Sequence, residues 1–255
     1  MASLYETPKL LGEYLLLHYG GAEELFHEAL PVNRSITRIP FPVRCVRELL
    51  DPELLPSGAS AFEAGCSVGA SAFELARSCR RVDASDYSDS FINAAKKLQA
   101  EGRHDGARLL EGSITTPFQA IVPPEIDRNR VSFSVQDATA LPQAMGPYDV
   151  VLAANLICRL PDPEAFLERL AGLVKPGGQL LLTTPFTWLE EYTPRERWIG
   201  GIDPDHRSEE ELTKRLSGES GGFRLHRRVD LPFLIREHER KYQLGIALGT
   251  SWIRL

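Results

Sequence analysis

The sequence has few of the features that mark disulfide-stabilised, membrane-spanning or nucleic-acid-binding proteins. Its four cysteines, Cys45, Cys66, Cys79 and Cys158, show no Cys-x-x-Cys spacing and are too few for a disulfide framework in 255 residues. No stretch approaches the roughly 20 apolar residues of a membrane helix, and the first residues lack the pattern of a signal peptide. The net charge is −6, with lysine and arginine scattered along the chain. We expect a cytoplasmic protein with a small-molecule substrate and no nucleic-acid or membrane partner.

Short apolar runs alternate with amphipathic patterns from residue 59 onward, which is typical of a parallel sheet with helices on both faces. The predicted strands are 59–64, 80–86, 131–136, 148–154 and 179–184, and the predicted helices are 8–19, 71–78, 88–101 and 163–174. Residues 241–254 resemble a final strand that pairs antiparallel with one near 225–235. Hydrophobic residues make up 43% of the chain, which suffices for one α/β domain over residues 1–255.

Two segments interrupt this alternation. Residues 102–129 are too long for an ordinary connection and contain Pro117, Pro123 and Pro124, so we predict an insertion or lid there. Residues 185–208 are irregular and rich in aromatic side chains. We therefore divide the domain into a helical cap (1–50), a cofactor-binding core (51–184) and a substrate-side segment with the last strands (185–255).

A glycine-containing turn follows the first core strand and leads into a helix. Glycines at Gly65 and Gly69 stand where backbone passes close to a ligand at a strand end. A dinucleotide site would have its second glycine where this chain has Ser67, so the turn favours a ligand without phosphates. The cofactor-binding candidates in this turn are Gly65, Cys66, Ser67 and Gly69.

Carboxylates stand at the ends of three predicted strands. Glu63 could accept from the amino group of an amino-acid-like ligand and favour a sulfonium cation. Asp86 follows the turn at about the 20-residue spacing of a ribose-binding acid. Asp137 could accept from an adenine amino group. Each acid alone could equally end a strand as a turn or cap residue, but their order indicates a nucleoside site. Neighbouring candidates are Tyr87 and Phe91, which could cover the adenine ring, and Ala138.

The ordered set of glycine turn, ribose acid, adenine acid and the later turn 175–178 (KPGG) resembles the class I methyltransferases over residues 59–184. That resemblance implies an α/β Rossmann-like sheet, mostly parallel with a final antiparallel strand. It also implies S-adenosyl-L-methionine as cofactor and S-adenosyl-L-homocysteine as product.

Segments outside these motifs resemble one family in particular. They are YETPKLLGEYLLLHYG (5–20), FPVRCV (41–46), AANLICRLPDP (153–163), PFTWLEEYTP (185–194) and WIGG (198–201). They are similar to the ovothiol-pathway 5-thiohistidine (4-mercaptohistidine) N-methyltransferases, which often form the carboxyl-terminal domain of an iron-dependent sulfoxide synthase. The six histidines form no cluster suited to iron, so we expect no metal site and a free-standing enzyme that works with a separate synthase.

The resemblance implies methylation of the imidazole ring of 5-thiohistidine to give ovothiol A. Asn155, after the fourth core strand, is expected beside the transferred methyl group, where it could bind the substrate ring or the amino-acid part of the cofactor. Arg159 or Arg44 could pair with the substrate carboxylate. Glu190 or Glu191 could take the ammonium or a ring proton. All four charged residues could instead be ordinary surface groups.

Aromatic and histidine side chains are expected to close the site around a flat imidazole. Trp188, Tyr192 and Trp198 could exclude water from the ring, or could simply pack within a lid. Tyr14 and His18, on one face of the first helix, could cover the site or serve only in packing.

Three alternatives remain open. A methyltransferase for another small acceptor would share the same cofactor half. A catalytically silent module that binds the cofactor and regulates a partner would bind without turnover. An NAD enzyme is disfavoured by Ser67 and by the antiparallel tail.

Overall fold

The computed structural model describes residues 5–27, 29, 39–217 and 221–255, so parts of the predicted 1–50 cap lie outside the described residues. The described strands are β1 (Ser60–Ala64), β2 (Arg81–Asp86), β3 (Arg103–Glu111), β4 (Ile114–Ile121), β5 (Val131–Val135), β6 (Tyr148–Ala154), β7 (Val174–Thr184), β8 (Phe223–His238) and β9 (Lys241–Arg254). Seven of them form one sheet in the order β5-β2-β1-β6-β7-β9-β8. Its first five strands are parallel, and β9 runs antiparallel to β7 and β8. The predicted sheet is confirmed.

Helices cover both faces of this sheet. They are α1 (Pro8–Tyr19), α2 (Ala22–Leu25), α3 (Phe41–Leu49), α4 (Ala70–Leu75), α5 (Asp89–Glu101), α6 (Pro163–Leu173) and α7 (Ser208–Leu216). Because successive strand residues point to opposite faces, Ala61 joins the core under α1, α3, α4 and α5, while Phe62 joins the core under α6 and α7. None of the helices in the described ranges is long and apolar enough to cross a bilayer.

Local sequence sets where the helices begin. Thr7 and Asp162 accept hydrogen bonds from backbone N–H groups in the first turns of α1 and α6, and each helix has proline at its first position. Ser88 caps α5 by accepting from the N–H of Phe91. These caps fix the residues at which α1, α5 and α6 begin.

The predicted insertion at 102–129 contains a β-hairpin, β3–β4, that lies outside the main sheet. Pro117 is tolerated in β4 because a two-stranded hairpin leaves each strand with an unpaired edge. The hairpin packs closely on α1: a Cβ at Gly12 would lie 2.8 Å from the Ala107 carbonyl oxygen, and one at Gly106 would lie 3.2 Å from Leu15. The insertion therefore carries regular structure that its prolines did not suggest.

Some predicted boundaries differ from the structure. Strand β7 begins at Val174 instead of residue 179, because Val174 pairs with Tyr148 before a register shift. The turn 175–178 accordingly lies within that strand. Helix α4 ends at Leu75 rather than at residue 78.

The last two strands extend beyond the sheet. Strand β9 pairs with β7 only from Leu248 to Ile253, whereas its residues 241–247 pair with β8 alone. We call residues 231–238 and 241–247 the terminal ribbon. It projects past the carboxyl end of β7, beside α1 and α3.

Candidate functional site

A cavity of ≈ 380 Å³ lies at the carboxyl ends of β1, β2, β5 and β6. Parallel strands place their carboxyl ends on one edge of a sheet, so residues that end or follow different strands meet there. Glu63, Asp86, Gln136 and Asn155 all line this cavity. Helix α1 and the terminal ribbon supply further walls, so the cavity lies between these two elements and the core.

The turn after β1 is held in a left-handed conformation. The φ angles are +73° at Gly65, +49° at Ser67 and +87° at Gly69. A Cβ at Gly65 would come within 2.8 Å of the Leu156 side chain and displace it, and the backbone angle itself favours glycine. Gly65 and Ser67 line the cavity, whereas Cys66 is fully buried and Gly69 packs against Phe133 outside the lining.

Glu63 is a buried carboxyl with one free oxygen. Its Oε1 accepts a hydrogen bond from the Ser71 hydroxyl, and its Oε2 has no hydrogen-bond partner within the described ranges. Burial raises the pKa of the Glu63 carboxyl to about 8; the Ser71 hydrogen bond opposes this shift and the charge of Asp86 adds to it. A cationic ligand group at the free oxygen would relieve the cost of ionising this carboxyl.

Asp86 is fixed by backbone hydrogen bonds. Its Oδ2 accepts from the N–H of Ser67 at 2.8 Å, and its Oδ1 accepts from the N–H of Ser88 at 2.9 Å. Burial raises the pKa of Asp86, and these two hydrogen bonds oppose the shift. Tyr87, which is 55% exposed, and the buried Phe91 lie beside it in the lining. The acid thus joins the glycine turn to the start of α5.

The segment after β5 carries a residue that the sequence did not single out. Asp137 accepts from the N–H and hydroxyl of Thr139, at 2.8 and 2.7 Å, and so acts as a cap of the turn 138–140. Gln136, just before it, has a buried Oε1 without a partner in the described part of the chain. Asp137, Ala138 and Gln136 all line the cavity, so both side chains are placed to contact a ligand.

Asn155 is oriented by a buried hydroxyl. The Thr183 hydroxyl accepts from the backbone N–H of Asn155 at 3.0 Å and donates to its side-chain Oδ1 at 2.9 Å. Since Oδ1 accepts from Thr183, the Nδ2 amide group is the part of Asn155 with both N–H donors left for a ligand. Asn155 adopts φ = +52°, which asparagine tolerates better than most residues.

Aromatic rings and one guanidinium group surround the side of the cavity near α1. Tyr14 and Phe91 have ring centroids 4.8 Å apart, and Tyr5 contacts Tyr14, Phe91 and Tyr192. The Arg159 guanidinium lies 4.7 Å from the centre of the Tyr192 ring. Tyr5, Tyr14 and Arg159 line the cavity, while Tyr192 lies behind Arg159.

His18 is a buried, neutral member of this wall. Its Nδ1 accepts from the N–H of Ala70 at 3.3 Å, and burial lowers its pKa to about 3. The ring therefore adds no positive charge to the cavity at neutral pH.

Six predicted substrate-side residues lie outside the cavity lining, and Tyr192, behind Arg159, is one of them. Glu190 and Glu191 are exposed. Trp188 and Trp198 stack on each other, and their indole N–H groups donate to Ser208 and to the Thr193 carbonyl. Arg44 donates to Glu48 and to the Pro232 carbonyl. As placed here, these side chains do not contact a ligand in the cavity.

The terminal ribbon supplies a wall that sequence reasoning missed. Phe233, Ile235, Gln243, Leu244 and Gly245 line the cavity, although they lie 96 to 108 residues beyond Asp137. Phe233 packs against Phe41 of α3 at a ring distance of 5.0 Å. The length of the two strands was the only sequence signal that they reach past the sheet.

Comparison with known proteins agrees with this arrangement. Residues 62–180 match the family model of a methyltransferase domain. A ubiquinone biosynthesis O-methyltransferase from Xanthomonas axonopodis pv. citri (strain 306) is 29% identical over 143 residues, 56% of this chain and 49% of that protein. Its namesake from Coxiella burnetii (strain RSA 493 / Nine Mile phase I) is 23% identical over 143 residues, again 56% of this chain and 50% of the relative. The chain spans about half the length of the curated relatives it matches.

Two solved structures share the fold across nearly the whole chain. Magnesium protoporphyrin IX methyltransferase from Synechocystis PCC 6803, with bound S-adenosylmethionine, has a TM-score of 0.56 at 17% identity and covers 100% of this chain and 95% of its own. The 4+2 cyclase SpnF has a TM-score of 0.60 at 14% identity and covers 99% and 95%. At such identities the likeness establishes the fold alone.

The cavity residues fit the groups of S-adenosylmethionine, the molecule bound in the magnesium protoporphyrin IX methyltransferase structure. The unpartnered oxygen of Glu63 suits the ammonium of the methionine part, Asp86 suits the ribose hydroxyls, and Gln136 and Asp137 suit the adenine. Residues 62–180 match the model of a methyltransferase domain, and the chain has the α/β Rossmann-like fold of methyltransferases of known structure.

Proposed function

We propose that the protein transfers the methyl group of S-adenosylmethionine to a ring nitrogen of 5-thiohistidine (4-mercaptohistidine), giving ovothiol A. The observation that carries the proposal is that four of the segments resembling the 5-thiohistidine N-methyltransferases meet at one cavity. Residues 5–20 contribute Tyr14 and His18 to its lining, 41–46 contribute Phe41 and Pro42, 153–163 contribute Asn155 and Arg159, and 185–194 contribute Pro185 and Thr187.

Arg159 supports an acceptor that carries a carboxylate. It is the one lysine or arginine in the cavity lining over the described ranges. Its Nη1 donates to the Thr187 carbonyl at 2.8 Å and to the Cys158 carbonyl at 3.0 Å. These bonds hold the guanidinium against the Tyr192 ring. The remaining N–H donors of the guanidinium can take a carboxylate in a two-pronged contact.

The proposed reaction depends on the orientation of the two reactants more than on proton transfer. Bound S-adenosylmethionine supplies a methyl group on a sulfonium sulfur. The lone pair of a ring nitrogen forms the new N–C bond as the S–C bond breaks, and the substrate thiolate offsets the positive charge left on the ring. No strong base is therefore needed, and the positions of Glu190 and Glu191 outside the lining are compatible with this reaction.

The walls must favour nitrogen over sulfur, the better nucleophile. Alignment of the two reacting atoms at about 3–3.5 Å governs the rate of such a displacement. The rings of Tyr14, Phe91 and Phe233 form flat apolar walls that can hold an imidazole edge-on, and Asn155 Nδ2 can donate to its sulfur or to a ring nitrogen. Because His18 is neutral, Arg159 is the only cation that the described residues place in the lining, so one contact orients the carboxylate end of the substrate.

The substrate would come from a reaction that installs sulfur on histidine, so a separate iron-dependent sulfoxide synthase is the expected functional partner.

The names of the curated relatives favour a second candidate, O-methylation of a phenolic acceptor, since the aromatic walls also suit such a ring.

Product analysis separates these functions. The protein is incubated with S-adenosylmethionine and 5-thiohistidine, histidine or catechol, and products are identified by mass spectrometry and NMR. We expect a ring-N-methyl product from 5-thiohistidine alone. Arg159→Gln should raise the KM for 5-thiohistidine at least tenfold through loss of a charged hydrogen bond, while the exposed Arg224→Gln should not. Methylated catechol, or S-methylation, would refute the proposal; cofactor binding without any product would point to a silent module.

A further inference from the structure

We propose a second ligand site, for a small carboxylate that also carries a hydrogen-bond donor, the class of hydroxy and amino acids. It is a separate cavity of ≈ 240 Å³ between α1, the β3–β4 hairpin and the terminal ribbon. Its charged lining residues are Lys9, Glu13, Arg108, Arg236 and Glu237. It shares no lining residue with the cavity at the strand ends.

Two arginines converge here without an acidic partner. The Nη1 groups of Arg108 and Arg236 both donate to the carbonyl oxygen of Glu24, the first at 3.3 Å. Neither guanidinium forms an ion pair with a carboxylate in the described part of the chain. The Nε atom of each is buried and has no hydrogen-bond partner among the described residues. Two neighbouring guanidiniums that share one neutral acceptor make a strong site for an anion.

The burial of these groups makes an unpartnered state costly. Arg236 is only 6% exposed, and burial lowers its pKa, with the charge of Arg108 acting in the same direction. A buried charged group without its full set of hydrogen bonds is normally satisfied by a ligand, water or counter-ion. An anion held by both guanidiniums would remove the repulsion and complete their hydrogen bonds.

The acidic residues of the cavity limit the charge of that anion. Glu237 is bound by Lys241 at 2.7 Å and by Gln243 at 2.8 Å. Glu13 is 9% exposed, and its Oε1 has no hydrogen-bond partner in the described ranges, with Lys9 at 3.8 Å. The lining thus has three cations and two carboxylates, which suits a monoanion better than a phosphate dianion. The free oxygen of Glu13 calls for a donor, which a hydroxyl or ammonium group on the ligand would provide.

Helix α1 forms a wall of both cavities. Gly12, Glu13 and Leu16 face this one, whereas Tyr14 and His18 line the cavity at the strand ends. A ligand here would therefore contact the same helix that borders the acceptor, whichever acceptor that is.

Calorimetric titration of the purified chain, saturated with S-adenosylmethionine, tests the proposal. The probes are acetate, L-lactate, L-alanine and inorganic phosphate. We expect saturable millimolar binding of lactate or alanine, tighter than acetate, and no comparable binding of phosphate. Arg108→Gln should weaken it at least tenfold, whereas Arg103→Gln, an exposed arginine on the same strand, should not. Glu13→Gln should reduce the preference over acetate.

The controls separate this site from the acceptor cavity. Binding at the second site should survive Arg159→Gln, which alters only the acceptor cavity. Loss of probe binding in Arg159→Gln but not in Arg108→Gln would refute the second site and leave the proposed function intact. Absence of saturable binding, or phosphate binding tighter than lactate and alanine, would also refute it. If Arg108→Gln does not fold, Arg108→Lys keeps the charge but removes the planar fork, and it should still weaken binding.

Discussion

Replacing Thr183 by valine should uncouple Asn155 from the fold without opening a cavity. Thr183 is fully buried, and its hydroxyl is the donor to Asn155 Oδ1. The backbone N–H of Asn155 keeps its bond to the Thr183 carbonyl at 2.9 Å, so only the side-chain orientation loses support. One hydrogen bond contributes about 1 kcal/mol, so we expect stability to fall by about that amount and kcat/KM for the acceptor to fall about five- to tenfold.

A matched variant separates positioning from stability. Thr250 is also buried; its hydroxyl donates to the Leu182 carbonyl and accepts from Trp252, away from Asn155. Thr250→Val should therefore lower the melting temperature to a similar extent without changing kcat/KM. Thr183→Ser, which keeps the hydroxyl, should restore activity. Equal activity losses in Thr183→Val and Thr250→Val, or no rescue by serine, would refute the positioning role.

Other predictions follow from single side chains. With its pKa near 8, Glu63 is protonated in the free folded protein at neutral pH but ionised in the unfolded chain. The free energy of unfolding should therefore decline from about pH 4.5 to 8. Glu63→Gln should remove this decline, as measured by thermal melting at a series of pH values. Cofactor binding below pH 8 should release a proton from Glu63, and calorimetry in buffers of different ionisation enthalpy would detect it. The Glu63→Gln variant should bind without this proton release. Tyr14→Phe should raise the KM for 5-thiohistidine without changing cofactor affinity; an unchanged KM would remove Tyr14 from the acceptor site. His18 should destabilise the fold as pH falls below about 6.5, because only the unfolded ring gains a proton; His18→Gln should lose this dependence.

The sheet could be predicted because each of its core strands is a short apolar run between helical patterns. The β3–β4 hairpin could not, since β3 alternates only between exposed and half-buried residues and β4 buries just Phe118 and Ala120. Gly106 and Gly12, which suggest breaks in regular structure, are instead the places where the hairpin and α1 approach most closely. Glycine in a sequence does not reveal whether it ends an element or admits a neighbour.

The candidate site was predictable where it depends on strand ends. Glu63 and Asp86 lie at the ends of two parallel strands, and Asp137 and Asn155 follow two others, so one topological rule brings all four together. The acceptor side follows no such rule. Trp188 is an aromatic residue of the kind that lines pockets, but it stacks on Trp198 outside the lining. Phe233, which no motif marks, lines the cavity because the terminal ribbon extends past the sheet.

Backbone strain marks the same edge of the sheet independently of side-chain chemistry. The three non-glycine residues with positive φ in the described ranges are Ser67, Asn155 and Phe186, and they follow β1, β6 and β7, which are neighbours in the sheet. Such conformations cost about 1–3 kcal/mol each and persist only where the surrounding structure enforces them. Ser67 also buries a hydroxyl that has no hydrogen-bond partner among the described residues, so Ser67→Gly should stabilise the free protein by about 1 kcal/mol in chemical denaturation. If the affinity for S-adenosylmethionine falls in the same variant, the Ser67 side chain contributes to ligand binding. If the affinity is unchanged, only the left-handed backbone turn is required, and glycine adopts it with less strain.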